Sequence, residues 1–381
     1  MLCGNHRKHC GKYGSYMYLD RQFWQGKRVL LTGHTGFKGT WMSTLLEILG
    51  ADICGYSLPL NPYSFYQKVS PNIVRHEEGD IADKNRVMRV IESFCPDILI
   101  HFASHSSLDG SMKIPDYILR TNLMGVVNVL EAVREVDSVK SVVIVTSDKC
   151  YQNMETDRPY TEDCPLGAKD PYSTSKVCQE LLTECYIDTF FSEPDRAIGV
   201  ATARASNVIG AGDYNISRLM PYLLDSFAGN RVPKIRNPHA VRPWQYVLDV
   251  LYGYLLLAQK LYITAETTKE YDGAYNFGPG EDGFATVGQI VKMVSEGFDN
   301  APYEIIKGQD HIKKETNILK LDSTKAQTIL HWSYHKTLEE TISLTIDFMK
   351  QEKQGIAVGE LCRQQISNYL EAVRSVDNIA G

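Results

Sequence analysis

A glycine-rich turn at residues 33–39 constrains the fold of this chain more than any other feature. It reads Gly33-His-Thr-Gly36-Phe-Lys-Gly39 and joins the aliphatic run 27–32 to apolar residues that recur at helical spacing until Gly50. Glycines in such a strand–turn–helix unit let the backbone approach a pyrophosphate at a helix N-terminus. A purely structural turn is the alternative, but the context favours a dinucleotide, bound by Gly33, Thr35, Gly36, Phe37, Lys38 and Gly39.

Short apolar runs alternate with amphipathic stretches through residue 203. The periodicity predicts further strands at 51–56, 74–77, 97–102, 139–146 and 199–203 and helices at 84–94, 117–136 and 173–191. Such alternation implies right-handed crossovers and a parallel sheet covered on both faces. The predicted fold class is therefore α/β, a Rossmann-type doubly wound parallel sheet with a smaller mixed α/β C-terminal substrate lobe.

Three segments are predicted along the chain. Residues 1–22 are basic and polar and are expected to form a flexible extension, residues 23–206 the nucleotide-binding domain, and residues 207–381 a substrate-binding lobe partly interwoven with it. Cys3, His6, His9 and Cys10 could in principle hold a metal. A loose chain end is the preferred interpretation, so no metal is predicted.

Composition excludes several classes of partner. The formal net charge of -6 argues against a nucleic acid or an anionic membrane surface. Apolar runs stay below the roughly 18 residues that a membrane span needs, so no membrane partner is expected. The nine cysteines are odd in number and form no CxxC pair. They indicate reduced thiols in a cytoplasmic protein.

A second motif, Tyr172-Ser-Thr-Ser-Lys176, lies at the start of a predicted helix. Residues at i and i+4 share one helix face, and an ammonium near a phenol is expected to lower the pKa of the phenol. Ser147 follows a buried strand and could bond the oxygen that Tyr172 deprotonates, while Lys176 could also reach a cofactor ribose. An ordinary helix face is the alternative, but the combination predicts redox catalysis.

The residues after the second strand bear on the choice of cofactor. The segment 54–57 reads Cys-Gly-Tyr-Ser, without the carboxylate that usually holds the ribose of NAD or an arginine for the phosphate of NADP. We predict NAD and leave NADP open. Asp80 and Ile81 follow the third strand and are expected near the adenine. A solvated turn is the equal alternative for Asp80.

Together, the GxxGxxG turn, the Ser147 hydroxyl and the YxxxK spacing resemble the extended short-chain dehydrogenase/reductases. Several strings are similar to the CDP-glucose 4,6-dehydratases in particular: Thr32–Gly39, Thr146–Tyr151, Asp170–Ser173, Asn207–Gly210 and Arg236–Gln245. The likeness runs from about Phe23 to the C-terminal helices.

The resemblance implies a mechanism. In the related dehydratases a tyrosine, here Tyr172, takes the proton of the sugar C4 hydroxyl while hydride passes to NAD. Water then leaves across C5–C6 and the hydride returns to C6. The elimination residues would be Asp148 and Lys149. Which of them is the acid and which the base stays open, because a neighbouring carboxylate favours the charged form of a lysine.

The same resemblance points to residues for the nucleotide end, a CDP-linked hexose. Guanidinium groups fit phosphate, so Arg218, Arg236 and Arg242 are predicted to bind the substrate, together with Asn207.

Some residues depart from the family pattern where the hexose is expected. Asp109 stands in place of an arginine and Ser206 in place of a glycine. These departures leave the sugar and the base open.

Two other functions stay open. An NAD-dependent nucleotide-sugar epimerase or reductase would keep Ser147, Tyr172 and Lys176 without needing Asp148 and Lys149. A non-catalytic sensing protein would bind cofactor without turnover. The resemblance also implies a homodimer or a higher homo-oligomer, formed through the helices predicted at 117–136 and 173–191.

Overall fold

A computed structural model of the chain describes residues 18–106, 108–193, 196–306 and 317–380. The N-terminal cysteines and histidines that could in principle hold a metal lie outside these residues. Regular structure begins two residues before the predicted boundary at residue 23, because the first helix begins at Arg21. The Asp20 carboxylate caps that helix at the Gln22 N–H, and the Asp20 N–H donates to Gln259 at 3.0 Å.

The helices and strands have the following bounds. The helices are α1 (Arg21–Trp24), α2 (Phe37–Leu49), α3 (Phe65–Val69), α4 (Lys84–Phe94), α5 (Leu108–Lys113), α6 (Pro115–Leu119), α7 (Gly125–Glu135), α8 (Pro171–Tyr186), α9 (Leu219–Ala228), α10 (Val247–Thr264), α11 (Val287–Glu296), α12 (Thr324–Leu330), α13 (Leu338–Lys353) and α14 (Val358–Ala380). The strands are β1 (Arg28–Thr32), β2 (Asp52–Ser57), β3 (Arg75–Glu78), β4 (Ile98–His101), β5 (Ser141–Val145), β6 (Gly199–Ala205), β7 (Asn207–Ile209), β8 (Lys234–Ile235), β9 (Val241–Tyr246), β10 (Gly273–Phe277), β11 (Phe284–Thr286) and β12 (Glu304–Ile305).

Seven parallel strands form the central sheet in the order β10-β6-β5-β4-β1-β2-β3. The strand order reverses on either side of β1, where Thr32 pairs with both Tyr56 and His101. Ligands of doubly wound sheets bind outside the carboxyl ends of the strands at such a reversal. The glycine turn starts there, directly after β1. The predicted α/β Rossmann-type fold is confirmed.

Helices cover both faces of the sheet. On one face α2, α10 and α14 contribute to one apolar cluster, and on the other α4 and α7 contribute to a second. Within the described part of the chain, α10 alone is long and apolar enough to cross a membrane. However, 78% of its residues are buried inside the molecule. Such burial is typical of a core helix.

Both of the long helices predicted at 117–136 and 173–191 contain a π-helical turn. The first runs as α6, a π turn at Arg120–Met124 and α7, and the second runs as α8 followed by a π turn at Ile187–Phe191. The first π turn carries the fully buried Asn122. Its amide bonds the backbone of His105 and the hydroxyl of Ser175, so it ties the loop after β4 to α8.

The rest of the chain forms a smaller lobe. It contains a sheet of order β11-β9-β7, a two-stranded sheet β12-β8, and the helices α9, α11 and α13 around a separate apolar cluster. However, α10 and β10 belong to the central sheet and its cover, with β10 paired to β6. The residues after 206 therefore contribute to both parts of the molecule.

Candidate active site

The glycine turn forms an open cradle at the N-terminus of α2. Gly33 has φ +71°, and a Cβ there would lie 2.8 Å from the backbone nitrogen of Ala103. A Cβ on Gly39 would lie 2.3 Å from the Gly33 carbonyl oxygen. At the exposed Gly36 it would meet only that same oxygen, at 3.4 Å. The turn therefore packs tightly on its inner side, and no side chain of the described residues caps the N-terminus of α2, which fits a pyrophosphate.

The other predicted residues of this turn have separate contacts. Thr35 donates from its hydroxyl to Ser57 at 3.1 Å, and Phe37 packs near Gly210. Lys38 lies 5.9 Å from the ring centroid of Tyr254. Burial, followed by the charge of Arg218, lowers the pKa of Lys38 to about 8. Lys38 is thus a cation held in the crevice that separates the sheet from the lobe residue Arg218.

The ends of β2 and β3 bear on the predicted adenine contacts. Asp80 accepts the Ala82 N–H at 2.9 Å, so one of its oxygens closes its own turn. Ile81 is buried against Gly125. Contacts of these two residues with a cofactor stay predictions. A carboxylate missed by the sequence reasoning, Glu78, pairs opposite Ser57 at the same edge of the sheet.

A 3₁₀ turn, Asp148–Cys150, follows β5 and meets the start of α8. Ser147 hydrogen-bonds the side chain of Tyr172 and donates to Asp148 Oδ1 at 2.9 Å. Ser206 donates to the other oxygen, Oδ2, at 2.8 Å. Asp148 is only 2% exposed. The two motifs predicted from spacing therefore meet in one hydrogen-bonded chain from Tyr172 through Ser147 and Asp148 to Ser206.

Lys149 lies in the same turn, directly after Asp148. Its backbone N–H donates to the Ser147 hydroxyl at 3.3 Å, and its side chain is partly buried.

Lys176 is nearly inaccessible, with 3% of its surface exposed. Its ammonium donates to Ser104 at 2.9 Å and to Gln179 at 2.8 Å, and it lies 6.0 Å from the centroid of the Tyr172 ring. Burial, followed by the charge of Lys38, lowers the pKa of Lys176 to about 7. Lys176 is thus held in place by Ser104, in the loop that follows β4, and by Gln179, in the same helix.

The expected lowering of the Tyr172 pKa is wrong for this structure. Burial raises the pKa of Tyr172 to about 12, with the charge of Asp148 adding to the effect. The Ser147 hydrogen bond and the charge of Arg218 act in the opposite direction but are outweighed. A phenol removed from water loses the hydration that would stabilise its anion. Spacing along a helix cannot reveal this cost.

The predicted substrate residues separate into two groups. Arg218 donates to Asp213 at 2.8 Å and to Ser106 at 2.7 Å, and its charge acts on both Tyr172 and Lys38. Asn207 follows Ser206 and begins β7. Arg218 therefore adjoins the crevice, and Asn207 lies next to Ser206, which donates to Asp148.

The other two arginines have different surroundings. Arg242 is 8% exposed and donates to the backbone carbonyls of Val241 and Asn317. Arg236 is exposed in the bend after β8. These contacts do not place either guanidinium at Tyr172.

Sequence reasoning missed several residues of the site. They are Ser104, Asn122, Glu180, Arg204, Asp213 and Tyr254. Glu180 carries a signal that could have found it, because it lies four residues after Lys176 and eight after Tyr172, on the same face of α8. Among the residues that the structure describes, no group of three or more potential ligands could hold a metal ion.

The sequence of the chain is similar to those of proteins of known activity. Residues 29–270 match the model of the NAD dependent epimerase/dehydratase family. A CDP-glucose 4,6-dehydratase from Salmonella typhimurium is 40% identical over 93% of this chain and 99% of that protein. The chain belongs to the NAD dependent epimerase/dehydratase family. This confirms the predicted relationship and the prediction of an NAD-dependent enzyme.

More distant members of the family share the fold. Human UDP-glucose 4-epimerase is 27% identical over 74% of this chain and 85% of that protein. The dTDP-glucose 4,6-dehydratase DesIV from Streptomyces venezuelae, solved with NAD and TYD bound, superposes with a TM-score of 0.73. It is 19% identical and the match covers 86% of this chain and 98% of that one. UDP-glucose 4-epimerase from Thermotoga maritima gives the same TM-score at 22% identity, covering 86% of this chain and 99% of that one.

Proposed function

We propose that this protein is an NAD-dependent nucleotide-sugar 4,6-dehydratase that converts CDP-glucose to CDP-4-keto-6-deoxyglucose. The 40% identity to the Salmonella typhimurium CDP-glucose 4,6-dehydratase supports the reaction. The observation that carries the proposal is the hydrogen-bonded chain that links Tyr172 through Ser147 to Asp148. An epimerase needs Tyr172 but has no use for a buried acid–base group joined to it.

Oxidation at C4 requires a base for the hydroxyl proton. The phenolate form of Tyr172 can accept the proton of a C4 hydroxyl, and the Ser147 hydroxyl, which hydrogen-bonds the Tyr172 side chain, lies beside that position. The charge of Arg218 lowers the pKa of Tyr172 and so favours its phenolate, and the Lys176 ammonium lies 6.0 Å from the centroid of the Tyr172 ring. NAD bound on the glycine turn would supply the hydride acceptor, an oxidised nicotinamide ring that carries a positive charge.

Elimination across C5–C6 requires one group to remove the C5 proton and another to protonate the departing hydroxyl. Asp148 and Lys149 are adjacent in the turn after β5, and the C4 ketone acidifies the C5 proton. Asp148 accepts hydroxyl hydrogen bonds on both oxygens, which fixes the direction of its lone pairs. Separate Asp148→Asn and Lys149→Met variants distinguish the two roles by their effect on exchange of the C5 proton with solvent.

The smaller lobe is proposed to bind the nucleotide end of the nucleotide-sugar substrate. Arg218 lies at the N-terminus of α9 and already spans from Asp213 to Ser106, so it faces the crevice from the lobe side. A guanidinium in this position suits the diphosphate of a nucleotide sugar. Asn207, at the start of β7, is proposed as a further substrate contact, whereas the exposed Arg236 and the buried Arg242 lie in the lobe without a proposed contact to the diphosphate.

Mass spectrometry of reactions with CDP-, UDP- and dTDP-glucose in the presence of NAD tests the proposal. Loss of one water from CDP-glucose, with an alkali-absorbing 4-keto product, is the expected result. A product with unchanged mass and inverted C4 would indicate an epimerase instead. NAD binding with every sugar unchanged would indicate a non-catalytic protein.

We also propose a cytoplasmic homodimer. The seven cysteines within the described residues are all free thiols, as expected in a reducing compartment. Exposed apolar side chains cluster on the helices around residues 112–124 and on α8 and its π turn: Met112, Ile114, Tyr117, Met124, Leu181 and Phe190. Burying such a patch against a second copy would remove it from water. Light scattering of the purified protein tests the oligomeric state.

A further inference from the structure

A buried ion pair between Glu180 and Arg204 lies behind the crevice. Arg204 Nη2 and Glu180 Oε2 are 2.8 Å apart, and the two side chains are 3–5% exposed. Because desolvation of two charges offsets most of their attraction, a buried pair is weak evidence of a contribution to stability. Its other contacts indicate what it does in this molecule.

The carboxylate end of the pair reaches the beginning of the turn that carries the elimination residues. Glu180 lies on the face of α8 that also carries Tyr172 and Lys176. Its second oxygen, Oε1, accepts a hydrogen bond from the hydroxyl of Thr146, which immediately precedes Ser147. Glu180 therefore connects α8, which carries Tyr172 and Lys176, to Thr146, two residues before the turn.

The guanidinium end reaches the other side of the same turn. Arg204 Nη1 donates to the hydroxyl of Tyr151 at 2.8 Å, and the guanidinium lies 5.0 Å from the centroid of that ring. Tyr151 directly follows Cys150, the last residue of the turn. Its own hydroxyl donates to Asn276 on β10 at 2.7 Å, so this end is also fastened to the edge strand of the sheet.

We infer that the Glu180–Arg204 pair is a clamp that holds both ends of the segment 146–151 and thereby sets Asp148 and Lys149 in position relative to Tyr172. The inference rests on the proposed dehydratase function and concerns positioning residues only. Oxidation at C4 and elimination at C5–C6 act on adjacent carbons of one bound sugar. The two sets of groups must therefore keep a fixed relative placement, since a shift of about 1 Å can cost on the order of 100-fold in rate.

Two conservative variants release one end of the segment each. Thr146→Val removes the hydroxyl donor to Glu180 Oε1, and Tyr151→Phe removes the hydroxyl that Arg204 contacts. Thr202→Val is the matched control. Thr202 is buried on β6 and donates to Glu180 Oε2 at 2.7 Å, but it does not belong to the segment. The control thus removes the same type of bond from the same carboxylate.

Hydrogen–deuterium exchange of the cofactor-free protein measures the clamp directly. Amides of residues 147–151 should exchange faster in Thr146→Val and Tyr151→Phe than in the wild type or Thr202→Val. Equal exchange in all four proteins would overturn the clamp, whatever the protein's substrate.

Single-turnover kinetics with CDP-glucose measures the consequence for catalysis. Both released variants should still oxidise the sugar, seen as absorbance of the reduced nicotinamide, but should eliminate water about 10–100-fold more slowly. Reduced cofactor then accumulates, while Thr202→Val behaves like the wild type and NAD affinity by calorimetry is unchanged in all.

Oxidation and elimination falling together in the released variants would show a structural role only. A wild type that removes no water from any nucleotide sugar would instead refute the proposed function and leave the exchange result to decide the clamp.

Discussion

The edge of the central sheet and the smaller lobe supply their site residues in different ways. At the sheet edge, residues as distant in sequence as Lys38, Asp148 and Lys176 meet in one crevice. In the lobe, Arg218, Arg236 and Arg242 lie within 25 positions of one another, yet of these three it is Arg218 whose charge lowers the pKa of Tyr172. Parallel strands bring their carboxyl ends to one edge wherever they occur in the chain. In the lobe, residues that are close in sequence do not for that reason contact the same site.

The largest effect is expected at the sheet edge, from Tyr172→Phe. The change removes the only proton acceptor proposed for the C4 hydroxyl and leaves the ring, so kcat should fall by about 10³-fold or more. NAD affinity, measured by calorimetry, should stay within about twofold of the wild type because the glycine turn is untouched. A nearly normal kcat in this variant would mean that the site at this edge of the sheet, where the motifs meet, is not the catalytic site.

The lobe is tested by comparing two arginines. Arg218→Met should raise KM for the nucleotide sugar by about 10- to 100-fold, since a charge-assisted hydrogen bond is worth about 1.5–3 kcal/mol. Arg236→Met removes an exposed guanidinium and should change KM by no more than about twofold. Steady-state kinetics of the two variants measures both changes in KM. A larger increase for Arg236→Met than for Arg218→Met would contradict the proposed role of Arg218.

The buried carboxyl of Asp249 is expected to give the folding stability of the protein a pH dependence. Asp249 in α10 is 1% exposed and accepts bonds from the His335 N–H and the Tyr369 hydroxyl. Burial raises its pKa from 3.8 to about 7. Between these values the folded protein binds more protons than the unfolded chain. The contribution of Asp249 to stability is therefore complete below about pH 4 and is lost as the pH rises through about 7.

Asp249→Asn should remove that dependence. Urea unfolding of the cofactor-free proteins at about pH 5 and about pH 8 should show the wild type losing about 2 kcal/mol relative to the variant. A difference between the two proteins that does not change with pH would show that Asp249 is not protonated on folding.

The smallest effect is expected from Ser206→Ala. The change removes one of the two hydroxyl donors to Asp148 and leaves the Ser147 bond in place. Loss of one hydrogen bond of about 1 kcal/mol predicts a decrease in kcat of about three- to tenfold with KM nearly unchanged. A larger change in KM than in kcat would place Ser206 at the substrate and not at Asp148.

Local pattern was sufficient to predict much of the fold. The strands at 97–102 and 199–203 and the helix at 84–94 were readable because burial on one or both faces leaves a periodic trace. The π turns at Arg120–Met124 and Ile187–Phe191 were not predicted, since a shift of one residue in an apolar helical pattern is not distinguishable from ordinary irregularity of that pattern. The start of the first helix was also missed, because Tyr18–Asp20 are held by α10, far along the chain.

The sequence by itself determined the glycine turn, the spacing of Tyr172 and Lys176, and the position of Ser147–Lys149 after a buried strand. These features are local, and strand order then carries them to one edge. Only the tertiary structure decided that the pKa of Tyr172 is raised, that Arg218 enters the crevice, and that Glu180 pairs with Arg204. Each of these depends on burial and on charges contributed by distant segments, and spacing along the chain contains no measure of either.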